Sequence, residues 1–225
     1  SIWANCMWLK GVVMKAHYNG LIPRNPFIQF HISPNVKERE YLTEDELKAV
    51  MTHEFADSKL AYIRDIFIFA SFTALSFVDI QELTNDNIVE VNGEKWILSK
   101  RHKTKVAFQV KLLDIPLQIV ERYRPMQKDN RIFPGLNYWS ICKPLKRMIR
   151  ECGITKSISF HCSRHGFATL ALSKGMPIES VSRVLGHTNI VTTQLYAKIT
   201  TQKLDNDLTM FGDKLSKTFN GITMS

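Results

Sequence analysis

No apolar run in these 225 residues is long enough for a transmembrane helix and no secretory leader pattern is present, so a soluble, intracellular protein is expected. Cysteine is scarce. The four, at positions 6, 142, 152 and 162, make no Cys-x-x-Cys pair and no zinc-finger spacing, so reduced thiols are expected rather than a disulfide framework. A tetrahedral ion shared by Cys152, His161, Cys162 and His165 is disfavoured, because adjacent helical residues diverge too far to chelate together. Acid is in short supply as well: 21 Asp and Glu face 30 Lys and Arg, giving a formal charge of +9 and an isoelectric point near 9.4. That surplus favours a polyanionic partner. Nucleic acid comes ahead of a membrane surface, since no basic amphipathic helix or lipidation signal accompanies the charge.

What the chain does have is enough apolar substance, 44% of residues, for one good core or one core plus part of another. Trp3, Met7, Trp8, Leu9, Val12, Val13 and Ala16 mark an amphipathic helix that stops near Asn19-Gly20. The two prolines of Leu21-Ile22-Pro23-Arg24-Asn25-Pro26-Phe27 then predict an extended linker. Thr43 and Glu46 form a capping box ahead of Leu47, Val50 and Met51, so a helix and a second domain start there. Leu60 to Leu75 is a uniformly apolar helix suited to the middle of the core, and a short helix over Val78 to Leu83 follows. From Ile88 the period changes. Ile88 to Val91, an Asn92-Gly93 turn, Trp96 to Ser99, a basic turn and Val106 to Leu112 predict a three-stranded antiparallel meander. Helices are expected from Pro116 to Pro125 and from Tyr138 to Cys152, and the second carries Lys143, Lys146, Arg147 and Arg150 on a face suited to phosphates. After Tyr196, the apolar residues Leu204, Leu208, Phe211 and Leu215 recur at helical spacing and require a surface to cover them.

Chemistry is concentrated between His161 and Tyr196. On a helix starting near His161, residues three apart share a face, so His161 and Arg164 can address one anion. Pro177 and Gly186 punctuate the next helix, which places His187 just past its end. Ile190, Val191 and Leu195 suggest a short amphipathic helix with Tyr196 near its end.

The order His161-x-x-Arg164, Leu185-Gly186-His187, Tyr196, with Thr169, Thr192 and Thr193 between, resembles the tyrosine recombinase (phage integrase) family. The resemblance covers roughly Tyr41 to Met210. A weaker likeness, the Ala-x-x-x-Gly-x-Ile-x-x-Asn-Pro-Phe pattern from Ala16 to Phe27, resembles the end of that family's core-binding domain. It implies an α+β, mainly α fold: a recombinase catalytic domain over 34–225 with a small antiparallel sheet and a tail helix. The last helix of a core-binding domain and a linker would occupy 1–33, with more of that domain missing before it.

For activity, the resemblance implies a site-specific DNA recombinase, most specifically an integrase of a mobile element, working through a 3′-phosphotyrosyl intermediate without metal or cofactor. Tyr196 would be the nucleophile, His161 its base, Arg164 and His187 the phosphate ligands, and Lys103, on the turn before the third strand, the general acid. Lys100, Arg101, Lys105, Lys143, Lys146, Arg147 and Arg150 would bind DNA. Double-stranded DNA, further copies of the chain in a tetramer, and accessory DNA-bending or excision proteins are the implied partners, in a bacterial cytoplasm at the nucleoid. One position departs from the pattern. Ser76, in Leu75-Ser76-Phe77-Val78-Asp79, stands where the family places its first catalytic Arg, although integrases of bacterial conjugative transposons also tolerate that loss. Arg101, on the same side of an extended segment as Lys103, and Arg64, one helix earlier, are candidate substitutes. A DNA-binding protein with a recombinase fold and no chemistry is the rival reading that Ser76 motivates.

Overall fold

In the computed structural model, residues 2–30, 40–102, 105–127, 129–197 and 201–218 are described. The chain divides into two compact units, Ser1–Arg39 and Glu40–Ser225. The domain boundary expected at 33/34 lies outside the described residues. Among those residues no helix is long and apolar enough to cross a membrane.

The first unit is built on α1 (Ile2–Tyr18), which turns at Asn19 and at Gly20, whose φ is +71°. The segment after it returns to the helix, where Lys10 Nζ donates to the Phe30 carbonyl at 3.4 Å. Trp3, Met7, Trp8, Leu9 and Val12 remain exposed along α1.

In the second unit, Thr43 and Glu46 exchange hydrogen bonds with each other's backbone amides at 3.2 and 2.7 Å. This closes the capping box and starts α2 (Glu44–Thr52). The central helix is α3 (Ser58–Thr73), whose Leu60, Ile63, Ile66, Phe67 and Phe69 are buried. A helix so evenly apolar can only sit inside a ring of partners; these include α2, α5 (Asp114–Tyr123), α6 (Tyr138–Glu151) and α7 (His161–Ser173). It ends at Ala74, which takes a left-handed conformation with φ 55°. Ser76 then caps α4 (Phe77–Gln81).

The meander forms with strand order β1 (Ile88–Val91), β2 (Glu94–Lys100), β3 (Ala107–Lys111), all antiparallel. Asn92 and Gly93 both have positive φ, 53° and 77°, as a tight turn matched to the strand twist requires. Ile97, Phe108 and Val110 face the core, while Leu98 and Gln109 alternate outward. Past α7 come α8 (Ile178–Leu185), α9 (Val191–Gln194) and α10 (Thr201–Thr218).

Two local expectations are corrected. The apolar residues Ile190, Val191 and Leu195 do not build a packed amphipathic helix: α9 is a single turn, all three are exposed, and Thr193 is the residue it buries. The second strand stops at Lys100 and Arg101 is buried, so it is not the surface DNA contact expected of it; its side relative to Lys103 lies outside the described residues.

Candidate functional site

The site forms where helix ends meet. Terminal carbonyls of a helix lack intrahelical donors and carry the negative end of its dipole, which makes them natural seats for cations. Arg164, in the first turn of α7, uses two of them: its Nη1 donates to the Ala74 carbonyl after α3 at 2.7 Å, and its Nη2 to the Leu185 carbonyl at the end of α8. The side chain is only 9% exposed. Burial, followed by the nearby Arg101 charge, lowers its pKa to about 10, with Tyr196 and Asp79 pulling the other way. Arg164 therefore stays charged at neutral pH. His161, three residues earlier, is exposed while Arg164 is buried, so the two approach the site from different depths.

α8 closes on Gly186, whose φ of +63° lets the His187 amide reach back to the Ser182 carbonyl at 3.1 Å. That turn fixes the backbone of His187. Its ring is held by Thr193, whose Oγ1 lies 2.9 Å from Nδ1, and it stacks on Tyr196 with centroids 6.4 Å apart and 14° between planes. Burial lowers the His187 pKa to about 4, helped by Arg164, Arg101 and His161, so the imidazole is neutral at pH 7. Thr193 engages Nδ1, which leaves Nε2 as the nitrogen available for other chemistry.

Tyr196 follows α9 and is half-buried. Its ring stands edge-on to His165 at 4.8 Å, and His165 in turn stacks on Tyr41 at 5.1 Å. A clamp of three rings thus sets where the phenol points.

Ser76 carries no charge to the site. Its hydroxyl donates to Asp79 Oδ2 at 2.7 Å. The same carboxylate takes Arg101 Nη1 at 2.8 Å, and its other oxygen takes the His102 amide at 3.0 Å. Burial pushes the Asp79 pKa up, but the His102 amide, Arg101 and Ser76 outweigh it and hold the carboxyl below its usual range. Arg101, 5% exposed, also donates from Nη2 to the Val184 carbonyl and lies over the Phe108 ring at 4.0 Å.

The structure thus brings Tyr196, Arg164, His187 and Arg101 to one place, with His161 near enough to act on His187 electrostatically. Lys103 lies outside the described residues. Lys100 and Lys105 are exposed on either side of it. Arg64 is turned elsewhere, donating to the His53 carbonyl and to Asp65, both at 2.9 Å. Lys143, Lys146, Arg147 and Arg150 are exposed on α6, where Arg147 is also engaged by Glu151 and Asp57. No group of three or more His, Cys, Asp or Glu placed to hold a metal occurs among the described residues.

Sequence reasoning missed Asp79 as the hub between Ser76 and Arg101, and missed Tyr41 and His165 as supports of Tyr196. The Ser-x-x-Asp spacing was a visible signal for the first, since it is a capping box. The ring contacts join residues far apart in sequence and left no such signal.

Among the described residues, the buried guanidiniums of Arg101 and Arg164 meet one ion-paired buried carboxylate, Asp79, which leaves an excess of positive charge where it is poorly screened. Such a site suits a phosphate, and it holds a phenol beside that charge.

Comparison with known proteins gives the chain a family. The chain is 32% identical over 177 residues to tyrosine recombinase XerA of Pyrococcus horikoshii, covering 72% of this chain and 58% of that one. It is 26% identical over 204 residues to tyrosine recombinase XerD of Listeria innocua, covering 83% and 67%. The chain thus spans roughly 58% to 67% of these relatives' lengths. In fold it is similar to the Tn1549 transposon integrase solved with a circular-intermediate DNA, with a TM-score of 0.75 at 18% identity over 90% of this chain and 76% of that one. A XerA recombinase crystal structure gives 0.61 at 20% identity, over 88% and 72%. With residues 40–203 matching the model of the phage integrase family, the chain belongs to that family.

Proposed function

We propose that this protein is a site-specific DNA recombinase that cuts and rejoins strands through a 3′-phosphotyrosyl intermediate, and that it serves a mobile element. The observation that carries the reading is the convergence of the Tyr196 phenol with Arg164 and neutral His187 at buried helix ends. The Tyr196 oxygen attacks the scissile phosphorus as the bond to the 5′ oxygen breaks, and His161 receives the phenolic proton. Arg164 and His187 donate to the nonbridging oxygens as charge shifts onto them. Lys103 supplies a proton to the departing 5′ oxygen. Attack by another strand's 5′ hydroxyl reverses every step, so no energy-rich cofactor is consumed. The transposon integrase likeness supports the mobile-element assignment.

The basic residues Lys100 and Lys105 on the hairpin, and Lys143, Lys146, Arg147 and Arg150 on α6, supply contacts to the DNA backbone. The exposed apolar stripe Leu204, Leu208, Phe211 and Leu215 supports a tetramer on DNA in which α10 docks on a neighbouring copy. Accessory DNA-bending or excision proteins would set the direction of the reaction.

The test is a duplex nicked close to the cleavage position, so that the short fragment diffuses away and traps the protein on DNA. A denaturation-resistant adduct formed in excess chelator is the expected result. Tight, salt-sensitive binding with no adduct would instead indicate a recombinase fold that only binds DNA, and an adduct that requires a divalent ion would overturn the mechanism.

A further inference from the structure

We infer that Tyr41, at the head of the second unit, is a positioning residue for the nucleophile: acting through the ring of His165, it keeps the Tyr196 phenol in its attacking place. This rests on the recombinase reading and makes cleavage depend on a segment remote in sequence from the chemistry.

The nucleophile's own segment gives it little support. From His187 to Tyr196 the one buried residue is Thr193, and α9 is a single turn. Ring contacts must therefore do what packing beneath the segment does not. Of the two imidazoles at Tyr196, His165 is the closer, with centroids 4.8 Å apart against 6.4 Å for His187. His165 follows Arg164 on α7, so one helix carries both a phosphate ligand and the ring that abuts the phenol. An imidazole that is only half-buried can change rotamer, and with it the edge it offers a neighbour. Tyr41 lies against its face, 5.1 Å away and 19° from parallel.

Tyr41 is itself held from outside the stack. Its carbonyl accepts from Lys156 Nζ at 3.2 Å, and the Glu40 carboxylate before it accepts the Ser157 amide at 2.6 Å. The segment lies close on α7, where a β-carbon at Gly166 would stand 3.9 Å from Tyr41 Cβ. Ordinary packing is the competing explanation, and the neighbouring residue argues against it. Leu42, 8% exposed, is the side chain that enters the large apolar core, whereas Tyr41 belongs to neither apolar cluster of the described residues. The Tyr41 ring thus contributes direction more than burial, since aromatic pairs favour particular tilts and an aliphatic side chain imposes none.

The experiment compares Tyr41→Leu and Tyr41→Met, which remove the ring and keep apolar bulk, with Tyr41→Phe, which keeps the ring. Single-turnover adduct formation on the nicked duplex is expected to fall about tenfold to a hundredfold in the two ringless variants, the scale for a reacting group displaced by about 1 Å. Duplex affinity should be unchanged, and Tyr41→Phe should restore the rate. Fluorine NMR of DNA-free protein carrying para-fluorophenylalanine at position 196 gives a signature that ordinary packing would not move. One narrow resonance is expected with Tyr or Phe at position 41, and a broadened or divided one in the ringless variants. Wild-type rates in the ringless variants overturn the proposal, as do losses that match a fall in the folded fraction or an equal loss in Tyr41→Phe; if one ringless variant does not fold, the other decides. If wild-type protein forms no adduct, the recombinase reading itself fails, and the fluorine signal still shows whether Tyr41 holds the ring at position 196.

Discussion

Thr193 meets the Nδ1 of His187 at 2.9 Å from a side chain that has no solvent exposure. A buried partner of this kind fixes the ring's tilt and settles which nitrogen faces outward.

Thr193→Val keeps the shape and removes that hydroxyl, leaving a buried ring nitrogen unpaired. An unmade buried hydrogen bond costs about 1–3 kcal/mol, so adduct formation should fall about tenfold to a hundredfold. Filter binding should show unchanged DNA affinity. A variant that cleaves at the wild-type rate would mean that stacking on Tyr196 alone orients His187.

Tyr196→Phe retains the edge-on contact with His165 and the stacking on His187, because both involve the ring and not the hydroxyl. The melting temperature should stay within about 2 °C of wild type. Covalent adduct should vanish while duplex binding persists. Adduct at the wild-type level would assign the nucleophile to another residue.

Stability should depend on pH through His187. Its pKa is about 4 in the folded protein against 6.5 for the free side chain, so the unfolded chain binds more protons between those values. Stability from this group is complete above about pH 6.5 and is lost as pH falls toward 4. His187→Asn should flatten that part of a melting-temperature profile. An equal slope in the variant would place the acid sensitivity elsewhere.

The stripe on α10 is 40% to 60% exposed at Leu204, Leu208, Phe211 and Leu215, so it adds little to the fold of its own chain. Deleting the chain from Thr201 should leave thermal melting nearly unchanged and single-site DNA binding intact. Strand exchange between two sites should drop, with loss of higher-order complexes in native gels. Collapse of the melting transition would show instead that the stripe packs within one molecule.

Local chemistry was legible in the sequence wherever it acts over a few residues. The Thr43 capping box, the Asn92-Gly93 turn and the Gly186 helix stop each depend on near neighbours, and each is present in the fold. The burial of Arg101 was hidden for the opposite reason. Its partners, Asp79 and Val184, lie 22 and 83 positions away, and nothing in the basic turn distinguishes a buried arginine from an exposed one. Ile190, Val191 and Leu195 misled because apolar spacing indicates a face without saying whether anything covers it. The ring stack of Tyr41, His165 and Tyr196 depends on packing between the start of the second unit and its last short helix, which no local pattern encodes.

Arg164 grows from α7 but is held by the trailing ends of α3 and α8, and α3 is the helix around which the unit is packed. Arg164 therefore has no hinge of its own on this side, and releasing it means loosening the end of α3 or of α8. Heating or denaturant should extinguish activity and core packing together, at one midpoint and with one cooperativity. Residual activity then serves as a gauge of the fraction of molecules still fully folded.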